Sequence, residues 1–141
     1  MANRPFEIRR IDHVVLRVHD LDASLDFYCS TLGCPVEKRQ DEIGLVQLRA
    51  GESLIDLVPL DGKLGRAGGA PPGPEGRNVD HICLRIDSFD EADLTTYLTG
   101  RGISVPSEGA VSRYGAEGEG PSLYIEDPDG NTVELKGPPA R

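Results

Sequence analysis

The apolar positions of the chain fall into two similar series. Residues 11–18, "IDHVVLRV", are rich in β-branched and aliphatic types and predict a strand. Leu21, Leu25, Tyr28 and Leu32 then recur at helical spacing, with Asp20 placed to cap the helix start and Gly33 to end it. The same phrase returns at 79–86 as "VDHICLRI", followed by Phe89, Leu94, Tyr97 and Leu98 on one helical face. Ser88 with Glu91 predicts a capping box for this second helix, and Gly102 its end.

Both halves then turn to strands. In the first, "PVEKRQ", "GLVQLRA" and "ESLIDLVPL" alternate or run apolar between turn residues. In the second, a weak strand near "ISVPS" precedes "SLYIED" and "NTVELKG", with "DPDGN" as a turn. The pattern predicts an α+β fold in which β-α-β-β-β occurs twice, as one domain over 1–141. Its modules cover about 9–60 and 79–137, and a Gly/Pro-rich linker over 61–78 is expected to lack regular structure. A second Gly-rich stretch, "EGAVSRYGAEGEGP", reads as a loop interrupting the last strands, long enough to cover a site.

Matching the halves by pattern aligns chemistry as well as strands. His13 corresponds to His81, and Asp56 in "LIDLV" to Glu134 in "TVELK". Imidazole and carboxylate together suit a divalent first-row metal such as Zn, Ni, Co, Mn or Fe. The plainer alternative is that duplication by itself preserved an imidazole and an acid in each half, with each histidine hydrogen-bonded in the core. His19, at the strand-to-helix turn, reads as solvated or capping.

Bulk properties narrow the function. A net charge of −9 argues against a nucleic-acid backbone as partner and fits a protein handling small molecules. No run of the sequence reaches the roughly 18 apolar residues of a membrane span, and "MANRPFEIRR" lacks the apolar core of a signal peptide. Cys29, Cys34 and Cys83 form no CxxC pair. Cys29 and Cys83 fall in apolar patterns that predict buried, inert thiols, so a reducing cytoplasm is the expected location.

With these residues in place, the chain resembles the vicinal oxygen chelate superfamily, the glyoxalase, bleomycin-resistance and dioxygenase group. "DHVVLRVHDLDASLDFYCSTLG" is similar to its opening motif and "YIEDPDGNTVEL" to its closing one, so the likeness spans about residues 9–137. The resemblance implies paired βαβββ modules forming an eight-stranded open cup around one metal. Its ligands would be His13, Asp56, His81 and Glu134, and the ion Ni, Co, Zn or Mn. It also implies a glyoxalase I-like lyase or isomerase that stabilises a metal-bound enediolate, with Glu134 and Asp56 as proton-transfer groups. Arg17 and Arg77 fall where basic residues grip carboxylates of the substrate in some members. Two positions depart from the glyoxalase I branch: Asp56 is shorter than the usual glutamate or glutamine, and Leu60 replaces an amide-bearing asparagine.

Two alternatives follow from the same resemblance. If Asp56 falls short, His13, His81 and Glu134 make the two-histidine, one-carboxylate set of an Fe(II)-dependent ring-cleaving dioxygenase. Tyr114 would then donate to the substrate, or shield the cup as a loop residue. The third reading is a metal-free binding protein for a small molecule, such as a basic drug drawn by the negative charge. A homodimer is the expected assembly.

Overall fold

The computed structural model describes residues 4–140. Two four-stranded sheets share one design. The first comprises β1 (His13–Val18), β2 (Val36–Gln40), β3 (Leu45–Ala50) and β4 (Ser53–Pro59), in the order β1-β4-β3-β2. The second comprises β5 (His81–Arg85), β6 (Val111–Gly115), β7 (Gly118–Glu126) and β8 (Thr132–Lys136), in the order β5-β8-β7-β6. In each, the first strand runs parallel to the last and the remaining pairings are antiparallel. The α+β class and the two βαβββ modules therefore agree with the sequence pattern.

The registers are equivalent too. Val15 stands opposite Asp56 as Cys83 stands opposite Glu134, and Arg17 opposite Val58 as Arg85 opposite Lys136. Alternation sends Leu16, Val18, Ile55 and Leu57 into the core from the first sheet. Leu123, Ile125, Val133 and Leu135 enter it from the second. All belong to one continuous apolar cluster with Phe27, Tyr28 and Leu98.

The first helix differs from the expected regular form. α1 (Leu21–Leu25), capped by Asp20 accepting from the Ala23 N–H, widens into a π-helical stretch over Asp26–Thr31. The wider winding accompanies burial of two consecutive aromatic side chains, Phe27 and Tyr28, whose rings meet edge to face at 4.8 Å. Gly33, at φ +80°, closes the helix. Its N–H donates to the Cys29 carbonyl while the Cys34 N–H reaches back to that of Tyr28.

Four other expectations are corrected. The linker carries a short helix, α2 (Lys63–Arg66), which Gly65 permits: a Cβ there would lie 1.9 Å from the Pro59 carbonyl oxygen. The segment "ISVPS" forms no strand. Instead the Gly-rich stretch supplies β6 and the start of β7, joined through Ala116 and Glu117. Flanking residues can pair across so short a connection, which a composition-based loop reading overlooks. Finally, α3 (Glu91–Gly100) is capped by Asp90, which accepts from the Asp93 N–H at 3.0 Å. Glu91 is thereby released from the expected box with Ser88, and accepts from the Ala110 N–H at 3.1 Å.

A buried carboxylate ties the modules together. Asp127 accepts from the Tyr28 hydroxyl (2.6 Å), the Asn131 side-chain amide (2.9 Å) and the main-chain N–H groups of Asp129 and Asn131 (2.9 Å each). Burial and the Asp127 charge push the Tyr28 phenol well above its ordinary pKa, keeping it a donor. His19, expected to be solvated or capping, is exposed and pairs with Asp129 of the same turn at 2.5 Å. Tyr28→Phe should therefore cost about 1.5–3 kcal/mol, because a buried charge loses a hydrogen bond while the ring volume is kept. Urea unfolding of the two proteins measures it, and a difference under about 0.5 kcal/mol would remove Tyr28–Asp127 as a module tie.

Candidate metal centre

Each module builds the same small assembly at the start of its first strand. In the second, the His81 Nδ1 meets Asp80 Oδ2 at 2.7 Å and its Nε2 meets Glu134 Oε1 at 3.2 Å. Glu134 is buried at 6% exposure, and its other oxygen accepts from the Ser122 hydroxyl at 2.5 Å. The Tyr124 and His81 rings lie roughly perpendicular at 70°, with centroids 6.0 Å apart. In the first module, His13 Nδ1 meets Asp12 Oδ2 at 2.8 Å, and Nε2 points to Asp56 Oδ2 at 3.9 Å. Asp56 is buried at 3% exposure and accepts from the Gln47 amide at 3.2 Å.

The electrostatics follow from these contacts. The hydrogen bond to Asp12, and then the Asp56 charge, raise the His13 pKa above its ordinary value. The hydrogen bond and charge of His81 lower that of Asp80. In both modules the preceding aspartate fixes Nδ1 and leaves Nε2 directed at a buried acid. Outer carboxylates orient metal-binding imidazoles in this way. Asp12, Asp80, Gln47 and Ser122 were not among the residues singled out from sequence, although "DH" occurring in both matched strands was a visible signal for the two aspartates.

The four expected ligands come together as two pairs. Among the described residues of one chain, no group of three or more His, Cys, Asp or Glu side chains converges. Nitrogen and oxygen donors with buried, partly compensated carboxylates fit a divalent first-row ion, but each module offers half of a ligand set.

Of the expected substrate contacts, Arg17 donates to the carbonyls of Gly69 (3.1 Å) and Ala70 (2.8 Å), so its guanidinium holds the linker. Arg77 reaches the Thr132 hydroxyl at 3.3 Å, and Thr132 is the register partner of His81. Tyr114 lies on β6 rather than in a loop. It is 80% exposed and lines a hollow of about 340 Å³ shared with His81, Cys83, Glu134 and Lys136. A larger hollow of about 720 Å³, lined in part by Phe27, Arg101, Ile103 and Tyr124, contains neither histidine–acid pair.

The cysteine expectation is corrected in part. Cys34 is buried and Cys29 half-buried, but Cys83 is exposed, because alternation along β5 turns it to the same face as His81.

The fold agrees with comparison to known proteins. Residues 10–135 match the family model described as the Glyoxalase/Bleomycin resistance protein/Dioxygenase superfamily. A glyoxalase domain-containing protein of Mycosarcoma maydis, RDO1, is 37% identical over 133 residues, covering 94% of this chain and 70% of that one. Virulence protein STM3117 of Salmonella typhimurium is 36% identical over 130 residues, covering 91% of this chain and 83% of that one. Its crystal structure superposes with a TM-score of 0.70 at 30% identity, covering 94% of this chain and 98% of that one. A protein of Synechocystis sp. named "Probable lactoylglutathione lyase" is 29% identical, covering 87% of this chain and 91% of that one.

Exposure alone does not make Cys83 a reactive thiol. Desolvation by the surrounding strands, then the Glu134 charge, pushes its thiol up to about 11. At pH 8 the thiolate is then about one part in a thousand. Iodoacetamide labelling of Cys83, followed by peptide mass mapping, should be far slower than for a free thiol and should speed up in Glu134→Gln. Labelling at the rate of an ordinary cysteine would refute the assignment.

Proposed function

The chain belongs to the Glyoxalase/Bleomycin resistance protein/Dioxygenase superfamily, and from that footing we propose that it is a metal-dependent enzyme of lyase or isomerase type. The observation that carries this reading is the repeated aspartate–histidine–buried acid assembly, Asp12–His13–Asp56 and Asp80–His81–Glu134. Two acids buried beneath two oriented imidazoles are costly, and a divalent ion would supply the positive charge that offsets them.

His13, Asp56, His81 and Glu134 would hold the ion, Ni, Co, Zn or Mn. Since each module supplies half, the complete site joins the first-module pair of one copy to the second-module pair of another. The exposure of Ile11 (79%) and Val15 (47%), two residues before and two after His13, supports a homodimer that covers this edge. Bound there, a divalent ion supplies Lewis acidity, stabilising negative charge on two adjacent substrate oxygens.

The chain's own groups do the proton work. Glu134, held through Oε2 by Ser122, presents Oε1 to take a proton from the carbon beside those oxygens, with Asp56 as its partner. Arg77 donates to the Thr132 hydroxyl, across the strand pair from His81, and Tyr114 lines the hollow.

Elemental analysis after dialysis against trace metals tests the centre. Wild-type protein should retain a divalent ion, and His13→Ala and His81→Ala should each lose it. Unfolding and refolding the two variants together should restore about a quarter of the wild-type metal. Half the random pairs are mixed dimers, each with one of its two sites intact. No recovery would place the site within one chain, and no metal in the wild type would overturn the enzyme reading. Iron retained under anaerobic handling alone would favour oxygen chemistry. Once a substrate is found, Glu134→Gln should lower kcat by about 10²–10⁴-fold; full activity with full metal would remove Glu134 as the base.

A further inference from the structure

We propose that Lys136 is an anchor for a small oxyanion, a carboxylate or phosphate carried by the substrate, in the hollow of the second module. This rests on the reading of His81 and Glu134 as the reacting end of the site, and adds to it the charge class of the substrate.

The two modules differ at this register position. Opposite Arg17, the first module places Val58, an apolar residue at 4% exposure. Opposite Arg85, the second module places Lys136, at 7% exposure. Lys136 follows Glu134 by two residues, so alternation puts both on the face that carries His81 and Cys83. All four line the same hollow of about 340 Å³.

Lys136 is a buried cation without a countercharge. Among the described residues no carboxylate lies within 4 Å of its ammonium. It donates to the carbonyls of Arg113 and Gly120, the latter at 3.2 Å. An ammonium has three donors, so one N–H remains for a ligand. A buried charge is costly unless paired, and an anion entering the hollow would complete the pair.

The surrounding backbone is cut to fit this side chain. A Cβ at Gly115 would lie 2.6 Å from the Lys136 Cε and 3.0 Å from its Cδ, so the bare Cα of β6 makes the slot in which the lysine lies. The neighbouring acids of the hollow are already engaged. Glu117 pairs with Arg85 at 2.8 Å, and Glu134 with His81 at 3.2 Å. Lys136 is left as the cation able to accept a new partner. A substrate would place its oxyanion there while its reacting carbon lies toward Glu134.

Metal-free protein, prepared by dialysis against a chelator, is titrated with sodium acetate and separately with inorganic phosphate at constant ionic strength, followed by amide NMR. Saturable shifts are expected at Gly115, Gly120 and Lys136, with a Kd at least about tenfold weaker in Lys136→Met, the loss expected for one charge-assisted hydrogen bond. The first module carries an aliphatic residue, Val58, at the matching register. Should Lys136→Met not fold, Gly115→Ala, which keeps the charge but crowds its stem, should weaken binding in the same direction. Tighter binding of acetate assigns a carboxylate, and of phosphate a phosphorylated substrate. Absence of saturable shifts with both anions in wild-type protein, or unchanged affinity in Lys136→Met, overturns the proposal. Failure of wild-type protein to take up metal would sink the enzyme reading alone, since this titration uses none.

Discussion

Everything at the candidate centre depends on the parallel pairing of the first and last strands in each module. That pairing brings a histidine at the start of one strand beside an acid near the middle of the other, though they are far apart in sequence. Register is strongly enforced, because Leu16, Val18, Ile55 and Leu57 alternate with the site residues. A slip of one residue would expose those core side chains and bury the imidazole. The apolar core thus holds the chemistry in place from the opposite face of the same strands.

A second constraint fixes one module against the other. The "DPDGN" turn holds its own shape through Asp127 and grips the first module through Tyr28, while Asp129 takes His19. The Asn78 amide adds hydrogen bonds to the Arg17 carbonyl and toward Asn131. These contacts are polar but enclosed, where an unmet partner costs more than it would in water. They set how the two sheets lie against each other.

The duplicated fold was legible because its signals are local and occur twice: apolar alternation, helical spacing, a closing glycine and a repeated "DH". His13, His81, Asp56 and Glu134 were legible for the same reason. What escaped was whatever depends on pairing across space. Val111–Gly115 became a strand because β7 lies beside it, despite glycines that read as loop. Cys83 became exposed because β5 turns that face outward, although its neighbours in sequence are apolar. Lys136 was not singled out from sequence; register places it across from Arg85 and its stem over Gly115. The Gly69 and Ala70 carbonyls that Arg17 holds were likewise invisible in sequence, where its role came from the family resemblance.

The parallel first-to-last pairing also has a kinetic side. A parallel partner cannot be reached through a tight turn, so β1 waits for β4, and β5 for β8, with a helix and two strands formed in between. Contacts that close long loops form slowly, because the chain entropy is spent before the contact rewards it. In each module the imidazole and its acid are therefore among the last neighbours to meet as the chain folds. A half-folded module already has most of its antiparallel ladder, yet no histidine beside its acid; the meeting of that pair reports that folding has finished.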